Sequence, residues 1–414
     1  MTLFERLVQE KFRIDAPYFL RGGFWLLLSQ AVTIIGGIGV SALFAFMLTE
    51  HEYGIYRYII GIGVLLSAFS LSGLGQSVLQ TAAKKYRQFY RDSIKIGLIY
   101  SIGITVSALA GASYYFYQGN TTLTWGCLII ALFQPLINSF QNIFSFLQGR
   151  RKFRASTTSQ AIKTITVSVA SIGAVLFTQD IIILLFVYFF SHTFTNVVFH
   201  LYYQPKIELP LTAEIKNKYV TYAKQTSIRN AISGVAFRLD TIIIFQQLGA
   251  VELAVYAIAN IIPEQIKASF KNITSLLIPK FIQNDQSHYS KNFILKRSLQ
   301  LFLILSSITL VFILIAPFIY TLLFPKYEEA ILYSQLLALS FPALILFIPL
   351  SLLQAKHEDS YLHKITLYGS LLEIVILFTL TTSFGLIGAI VSKIISRYLN
   401  LILYFYYSFK SLKT

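Results

Sequence analysis

Basic residues in this chain alternate with apolar segments that are nearly free of positive charge. All but three of the 34 lysines and arginines fall into seven groups. The groups lie at 6–21, 84–95, 150–163, 206–229, 267–297, 356–364 and 393–413. Between groups the chain is apolar and folds back at a short polar turn, where Lys326 is the one basic residue. Basic residues collect on the cytoplasmic side of a bilayer. The pattern therefore predicts repeated crossings of the cytoplasmic (inner) membrane, with both termini in the cytoplasm.

The composition agrees with a membrane protein. Hydrophobic residues make up 55% of the chain and charged residues 13%, whereas about a quarter of a soluble domain is charged. A spanning helix needs roughly 20 mainly apolar residues. Twelve segments meet this requirement: 23–47, 55–80, 95–117, 122–148, 157–178, 181–203, 222–248, 252–278, 298–324, 329–355, 362–383 and 386–408. We therefore predict an all-α polytopic membrane protein with twelve transmembrane helices.

The predicted spans divide into two halves of six. The divisions are an interfacial amphipathic helix at 1–20, a bundle at 21–203, a cytoplasmic linker at 204–221 and a bundle at 222–414. One outer turn occurs in both halves: Leu48, Glu52, Gly54, Ile55 and Tyr56 match Leu248, Glu252, Ala254, Val255 and Tyr256. Because six is even, both halves enter the membrane from the cytoplasm. This predicts two six-helix bundles related by a pseudo-two-fold axis along the membrane normal.

The fourth span carries one continuous polar face. Gln134, Asn138, Gln141 and Asn142 recur at steps of three and four residues, which places them on one side of a helix. Polar groups that face lipid cost several kcal/mol each, so this face should line a water-filled lumen. Hydrogen bonding between helices is the alternative explanation. Asn260 belongs to a similar face in the eighth span.

Charged residues inside the predicted spans concentrate in the second half. They are Arg238, Asp240, Glu264, Lys267 and Glu373, while Arg57 lies near the outer end of the second span. Residues two apart project about 200° from each other on a helix, so Arg238 and Asp240 cannot pair. Glu264 is the expected partner of Arg238, and Lys267 can also reach Glu264. A charge at the bilayer centre costs on the order of 3 kcal/mol, which marks these residues as functional candidates.

Several motifs, taken in order, resemble those of a known family. They are the turn 48–56, Leu74-Gly75-Gln76, Arg238-Leu239-Asp240, 277–281, 323–327 and 385–389. The resemblance is to polysaccharide-unit flippases of the Wzx type, in the multidrug/oligosaccharidyl-lipid/polysaccharide exporter superfamily. Pro325 departs from this family, whose members often have Gly there. The resemblance implies a MATE-like fold of two bundles that opens alternately to each side. It also implies a substrate of sugar units linked to polyprenyl pyrophosphate, moved from the cytoplasmic to the outer leaflet.

The resemblance also implies roles for the polar residues. Pyrophosphate requires cations, which are expected to be Arg238, Lys267 and Arg57. The residues expected to replace water around the sugars are Gln134, Asn138, Gln141, Asn142 and Asn260. The candidates for coupling to a proton or sodium gradient are Asp240, Glu264 and Glu373. Membrane lipids are expected partners, and a polymerase of the same pathway is a candidate partner.

Two other functions stay open. A drug/cation antiporter of the same superfamily would carry a compact and often cationic substrate. A membrane glycan polymerase or glycosyltransferase would need a large external loop with catalytic residues. The chain has no Gly-Lys-Ser/Thr phosphate loop and no ligand set spaced for a metal. We therefore expect no enzymatic activity, catalytic residue, cofactor or metal site. The net charge of +16 follows from topology and anionic headgroups, so a nucleic-acid partner is not expected.

Overall fold

A computed structural model describes residues 16–86, 88–203, 212–271, 291–356 and 358–412, and every regular element in these ranges is helical. The helices are α1 (Ala16–Met47), α2 (Glu50–Leu66), α3 (Leu74–Ala83), α4 (Gln88–Tyr100), α5 (Ile102–Tyr117), α6 (Thr121–Phe140), α7 (Asn142–Gly149), α8 (Phe153–Phe177), α9 (Ile181–Tyr202), α10 (Ala213–Leu248), α11 (Ala250–Lys271), α12 (Lys291–Leu323), α13 (Glu329–Ala338), α14 (Phe347–Ala355) and α15 (Asp359–Ser411). Two 3₁₀ segments, Ser67–Phe69 and Phe341–Leu346, interrupt the second and tenth predicted spans. The predicted all-α fold is confirmed.

The helices account for the predicted spans. Within the described ranges, eight helical segments are long and apolar enough to cross a membrane, with α4–α5, α6–α7 and α13–α14 each counted as one, or nine if α2 and α3 form one bent span. The seventh and eighth predicted spans, on α10 and α11, are absent from this set; α10 carries the buried Asp240, and α11 carries the partly buried Glu264 and Lys267. Gly385, with φ +60° and ψ −141°, divides α15 into the last two predicted spans. Several predictions fall outside the described residues: most of the helix at 1–20, part of the linker at 204–221, and the motif at 277–281.

Three of the predicted outer turns contain residues that cap the next helix. Thr49 and Glu52 form a capping box at the start of α2, with Thr49 N donating to Glu52 Oε2 over 2.8 Å and Glu52 N to Thr49 Oγ1 over 3.2 Å. Asn120 caps α6 by accepting from Leu123 N at 3.0 Å. Asp180 caps α9 in the same way. These bonds satisfy amide groups that the first turn of a helix leaves free, so the turns end the spans by local chemistry.

Two compact units divide the chain. The first unit contains the chain up to Val40 and Leu66–Ile228, and the second contains Ser41–Leu65 and the chain from Arg229 onward. In the first unit α6 packs against α5 and α9, and α3 packs against α7. A Cβ atom on Gly149 would lie 2.3 Å from the carbonyl oxygen of Leu79, so a glycine is required where α7 meets α3.

The second unit brings α2 against α10. The ring of Tyr58 stacks on Phe245 with centroids 3.6 Å apart, and Gln246 Nε2 donates to Tyr58 Oη over 2.8 Å. One helical turn further, a Cβ atom on Gly61 would lie 2.6 Å from Thr241 Cγ2. The packing therefore fixes the position of α10 just beyond Asp240, where the charged residues of this unit begin.

Candidate functional site

Three helices of the second unit bring charged side chains together in its interior. Helix α10 contributes Asp240, α11 contributes Glu264 and Lys267, and α15 contributes Lys393 and Arg397. We call these five residues, with Tyr256 of α11, the charge cluster. Tyr256, Glu264 and Lys267 lie on one face of α11, as their spacing predicts.

The best-shielded part of the charge cluster is a triad of Asp240, Tyr256 and Lys393. Lys393 Nζ lies 2.8 Å from Asp240 Oδ2 and 2.8 Å from Tyr256 Oη. Tyr256 Oη in turn donates to Asp240 Oδ2 over 2.6 Å. The second carboxylate oxygen of Asp240 accepts from the backbone amide of Thr241 at 2.6 Å. Both oxygens of the buried carboxylate are therefore hydrogen-bonded, as a charge removed from water requires.

Glu264 is the centre of the other part of the cluster. Its Oε1 forms an ion pair with Arg397 Nη2, and its Oε2 lies 3.4 Å from Lys267 Nζ. Lys393 Nζ lies 3.8 Å from Glu264 Oε1, which joins this part to the triad. Arg397 also donates through Nη1 to Ser340 Oγ, next to the 3₁₀ segment Phe341–Leu346. One carboxylate is thus shared by three cations.

The two parts differ in their access to solvent. In the triad the side chains of Lys393 and Asp240 are 9% and 13% exposed, whereas those of Lys267 and Glu264 in the other part are 29% and 25% exposed. An ion or headgroup can therefore approach Lys267 and Glu264 first. The cluster holds three cations against two carboxylates. This excess of positive charge gives the accessible side an affinity for anions.

The sequence did not identify Lys393 and Arg397. They belong to the basic group at 393–413, which the pattern assigned to the cytoplasmic face, and both are buried instead. Their position inside the apolar segment 386–408, four residues apart on one helix face, was the signal that could have found them. Glu264 was expected to pair with Arg238, but the ion pairs that it forms are with Arg397 of α15 and with Lys267 of its own helix.

The other predicted charges have different surroundings. Arg238 is half-buried and interacts electrostatically with Asp240. Glu373, on the first half of α15, is half-buried and interacts electrostatically with Lys393. Arg57 is half-buried on α2 and takes no part in the ion pairs of the cluster. Asn260 is buried on α11, and its Oδ1 has no hydrogen-bond partner among the described residues.

The amides of the fourth span lie in the first unit. Gln134 Nε2 donates to Ser67 Oγ over 2.8 Å, and Asn138 Nδ2 donates to Ser70 Oγ over 3.3 Å. These bonds tie α6 to the segment between α2 and α3. Asn138, Gln141 and Asn142 also line a cavity of about 90 Å³ that is partly open. The face thus both bonds to a neighbouring segment and borders a space that water can enter.

No group of three His, Cys, Asp or Glu side chains in the described ranges is arranged to hold a metal ion. The single cysteine, Cys127, is buried as a free thiol.

The chain is similar in sequence to one known family. Residues 19–285 match the family described as polysaccharide biosynthesis protein. No curated protein matches the chain.

Solved structures with the same fold cover nearly the whole chain. An outward-facing multidrug resistance MATE family transporter of the MOP superfamily is 12% identical with a TM-score of 0.65, over 96% of this chain and 95% of that one. The inward-facing form is 13% identical with a TM-score of 0.66, over 93% of both. A MOP superfamily transporter from Pyrococcus furiosus, described as having a binding pocket of reverse polarity, is 11% identical with a TM-score of 0.67, over 96% and 95%. These similarities confirm the MATE-like fold and a multi-pass membrane protein.

Proposed function

Because this chain belongs to the polysaccharide biosynthesis protein family and has the fold of MATE transporters, we propose that it is a flippase. Its substrate is an oligosaccharide unit linked to polyprenyl pyrophosphate, which it moves from the cytoplasmic to the outer leaflet of the inner membrane. A sugar hydroxyl transferred into hydrocarbon without a partner costs roughly 4–8 kcal/mol. An oligosaccharide therefore needs a polar path through the protein, while the lipid tail stays in the bilayer.

The charge cluster is the observation that carries this proposal. Pyrophosphate is a compact anion, and the planar guanidinium of Arg397 matches its oxygen atoms in two-point hydrogen bonds. Glu264 pairs with both Arg397 and Lys267. A pyrophosphate that reaches the partly exposed Lys267 competes with Glu264 for both cations. Lys393 keeps its hydrogen bonds to Asp240 and Tyr256 and contributes positive charge next to the site.

Arg238 and Arg57 are further contributors to headgroup binding. Arg238 precedes Asp240 on α10 by two positions and adds positive charge next to the triad. Arg57 lies on α2, which packs along α10 in the same unit. The sugars are assigned to the amides, with Gln134, Asn138, Gln141 and Asn142 in the first unit and Asn260 in the second.

The membrane potential supplies part of the driving force. An anionic headgroup that moves outward from a negative cytoplasm gains about 2.3 kcal/mol per charge per 100 mV. A proton or sodium ion would be exchanged at Asp240, Glu264 or Glu373. This exchange would return the carrier to its starting conformation after the substrate is released. Glu264 is the best placed of the three, because it is both partly exposed and shared between cations.

Reconstitution into vesicles tests the proposal. Fluorescent polyprenyl-pyrophosphate-linked oligosaccharide is placed in both leaflets, and its transfer is measured by how much becomes accessible to an added glycosidase. The wild-type protein should make the protected fraction accessible. Variants Lys267→Ala and Arg397→Ala should lose at least roughly tenfold in rate, because each removes a charge-assisted bond to the headgroup. Arg297→Ala, an exposed arginine on α12 that bonds to Gln300, is the control and should keep the wild-type rate.

Two results would overturn the assignment. Wild-type protein that leaves the inner-leaflet pool protected would exclude flippase activity. Cluster variants that transfer the substrate as fast as the wild type would show that the charge cluster does not bind the headgroup. Export of a labelled organic cation by the same vesicles would instead support a drug/cation antiporter, which the described neighbours make the second candidate. The excess of positive charge in the charge cluster disfavours binding of a cationic substrate, because like charges repel.

A further inference from the structure

The cavity of the first unit lies where one predicted span is interrupted and two others contribute polar residues. The second span breaks between α2 and α3, where Ser67, Ser70 and Ser72 line the cavity. Ser101, where α5 follows α4 in the third span, and Gln141, where α7 follows α6 in the fourth, also line it. Interrupted helices are tolerated at membrane depth where they border protein or a polar cavity, and they often mark a binding site.

The side chains around this cavity are polar but uncharged. Among the described residues that line it, the hydrogen-bonding groups are the hydroxyls of Ser67, Ser70, Ser72 and Ser101 and the amides of Asn138, Gln141 and Asn142; the remaining lining residues are leucine and glycine. The part of the lining that the structure describes therefore includes no carboxylate, ammonium or guanidinium. Hydroxyls and amides both donate and accept hydrogen bonds, which suits a ligand whose own groups do the same.

One lining group has unused hydrogen-bonding capacity. Ser101 is 1% exposed, and its Oγ has no hydrogen-bond partner among the described residues. Leaving a buried hydroxyl without a hydrogen-bond partner is unfavourable. Gln141, by contrast, is exposed at the cavity. A ligand in the cavity would meet both a buried group that needs a partner and an accessible amide.

We propose that this cavity binds one uncharged sugar ring of the substrate and selects against an acidic one. This inference rests on the proposed flippase function and adds the class of sugar. A neutral hexose or N-acetylated hexose exchanges its bonds to water for bonds to Ser101, Asn138 and Asn142. A uronic acid would bring a carboxylate into a space with no counter-charge in its lining, and an unpaired buried charge is strongly unfavourable. The pyrophosphate is left to the charge cluster, so sugar and headgroup are recognised by different chemistry.

The first test compares two substrates in the vesicle assay. They share the lipid and the number of sugars and differ only in whether one hexose is replaced by its uronic acid. The wild-type protein should transfer the neutral substrate at least roughly tenfold faster. Gln141→Arg should reduce this ratio by about tenfold, because it supplies the missing counter-charge. Arg397→Ala should slow both substrates and leave the ratio unchanged. Equal wild-type rates, or a ratio that Gln141→Arg does not alter, would refute the selection.

A second test does not depend on transport. Gln141→Cys in a Cys127→Ala background provides one thiol at the cavity, and its rate of modification by a small methanethiosulfonate reagent is measured. Maltotriose should slow the modification, and trigalacturonic acid should not. Gln118→Cys, an exposed position in the outer turn after α5, is the control and should be modified at one rate throughout. Protection by maltotriose without transport would contradict the flippase function and support the sugar site. Transport without protection would contradict the sugar site and support the flippase function.

Discussion

Lys393 Nζ lies 2.8 Å from Asp240 Oδ2, so the last predicted span and the seventh are joined by a buried ion pair between residues 153 positions apart. Tyr256 of α11 completes the contact by bonding to both partners. Three helices of the second unit thereby depend on one charged contact. Because the pair is removed from water, each charge is tolerated only while the other is present.

Lys393→Met should therefore destabilise the protein strongly. The variant leaves Asp240 buried without a cation, at a cost of about 3–5 kcal/mol. Adding Asp240→Asn should recover part of that loss, because the orphaned charge disappears with its partner. Thermal unfolding in detergent of the two single variants and the double variant measures the coupling. Lys216→Met, which breaks the more exposed 3.0 Å pair with Asp92, is the control and should cost about 0–1 kcal/mol. Additive effects at positions 240 and 393 would contradict this account.

Glu264→Gln should strengthen headgroup binding. The substitution releases Arg397 and Lys267 from the carboxylate that they share, so an anion no longer has to displace it. We expect the Kd for inorganic pyrophosphate, measured by calorimetry on the purified protein, to fall about tenfold, because one competing charge-assisted pair is removed. Glu329→Gln, at the exposed start of α13, should leave the Kd unchanged. Weaker binding by Glu264→Gln would mean that Glu264 positions the cations instead of competing for them.

Gly54→Ala should disturb the packing of the second unit. A Cβ atom at position 54 would lie 1.9 Å from the carbonyl oxygen of Ala250, at the start of α11. The neighbour is backbone and cannot rotate away, so we expect a loss of about 1–3 kcal/mol or more. Gly173→Ala, within α8 and with no atom within 4 Å of a new Cβ, should be neutral or gain about 0.5–1 kcal/mol. Equal melting temperatures for the two variants would show that the close approach does not constrain the fold.

Lys326→Ala should loosen the C-terminal end of α1. Lys326 Nζ donates to the carbonyl oxygen of Phe46, in the last turn of that helix, at 2.6 Å and to that of Leu48, just after it, at 3.3 Å. A cation is favourable there because the final carbonyls of a helix carry partial negative charge. We expect the melting temperature to fall by the equivalent of about 1 kcal/mol. Lys296→Ala, an exposed lysine of α12, serves as the control. An unchanged melting temperature for Lys326→Ala would show that the cap does not contribute.

The helix-capping role of Lys326 explains why one basic residue occurs in the predicted outer turns. The positive-inside pattern predicts none there, and the structure uses this lysine to cap a helix. The repeated turn has a similar explanation. Gly54 of its first copy packs on Ala250 of its second copy, so the two copies meet within the second unit. Neither relationship is visible from hydropathy, because both depend on residues that are far apart in the chain.

The sequence by itself determined the helices, several of the turns between them and the polar face of the fourth span. Each depends on neighbours within a few residues: apolar length sets a span, Thr49, Asn120 and Asp180 cap the next helix, and amides at helical spacing share a side. The resemblance of its motifs to those of a known family also indicated the family. Only the tertiary structure decided that Lys393 and Arg397 pair with Asp240 and Glu264, and that Ser41–Leu65 joins the second unit. The partner of a buried charge is set by which helices pack together, and that packing arises from contacts across the whole chain that no local pattern records.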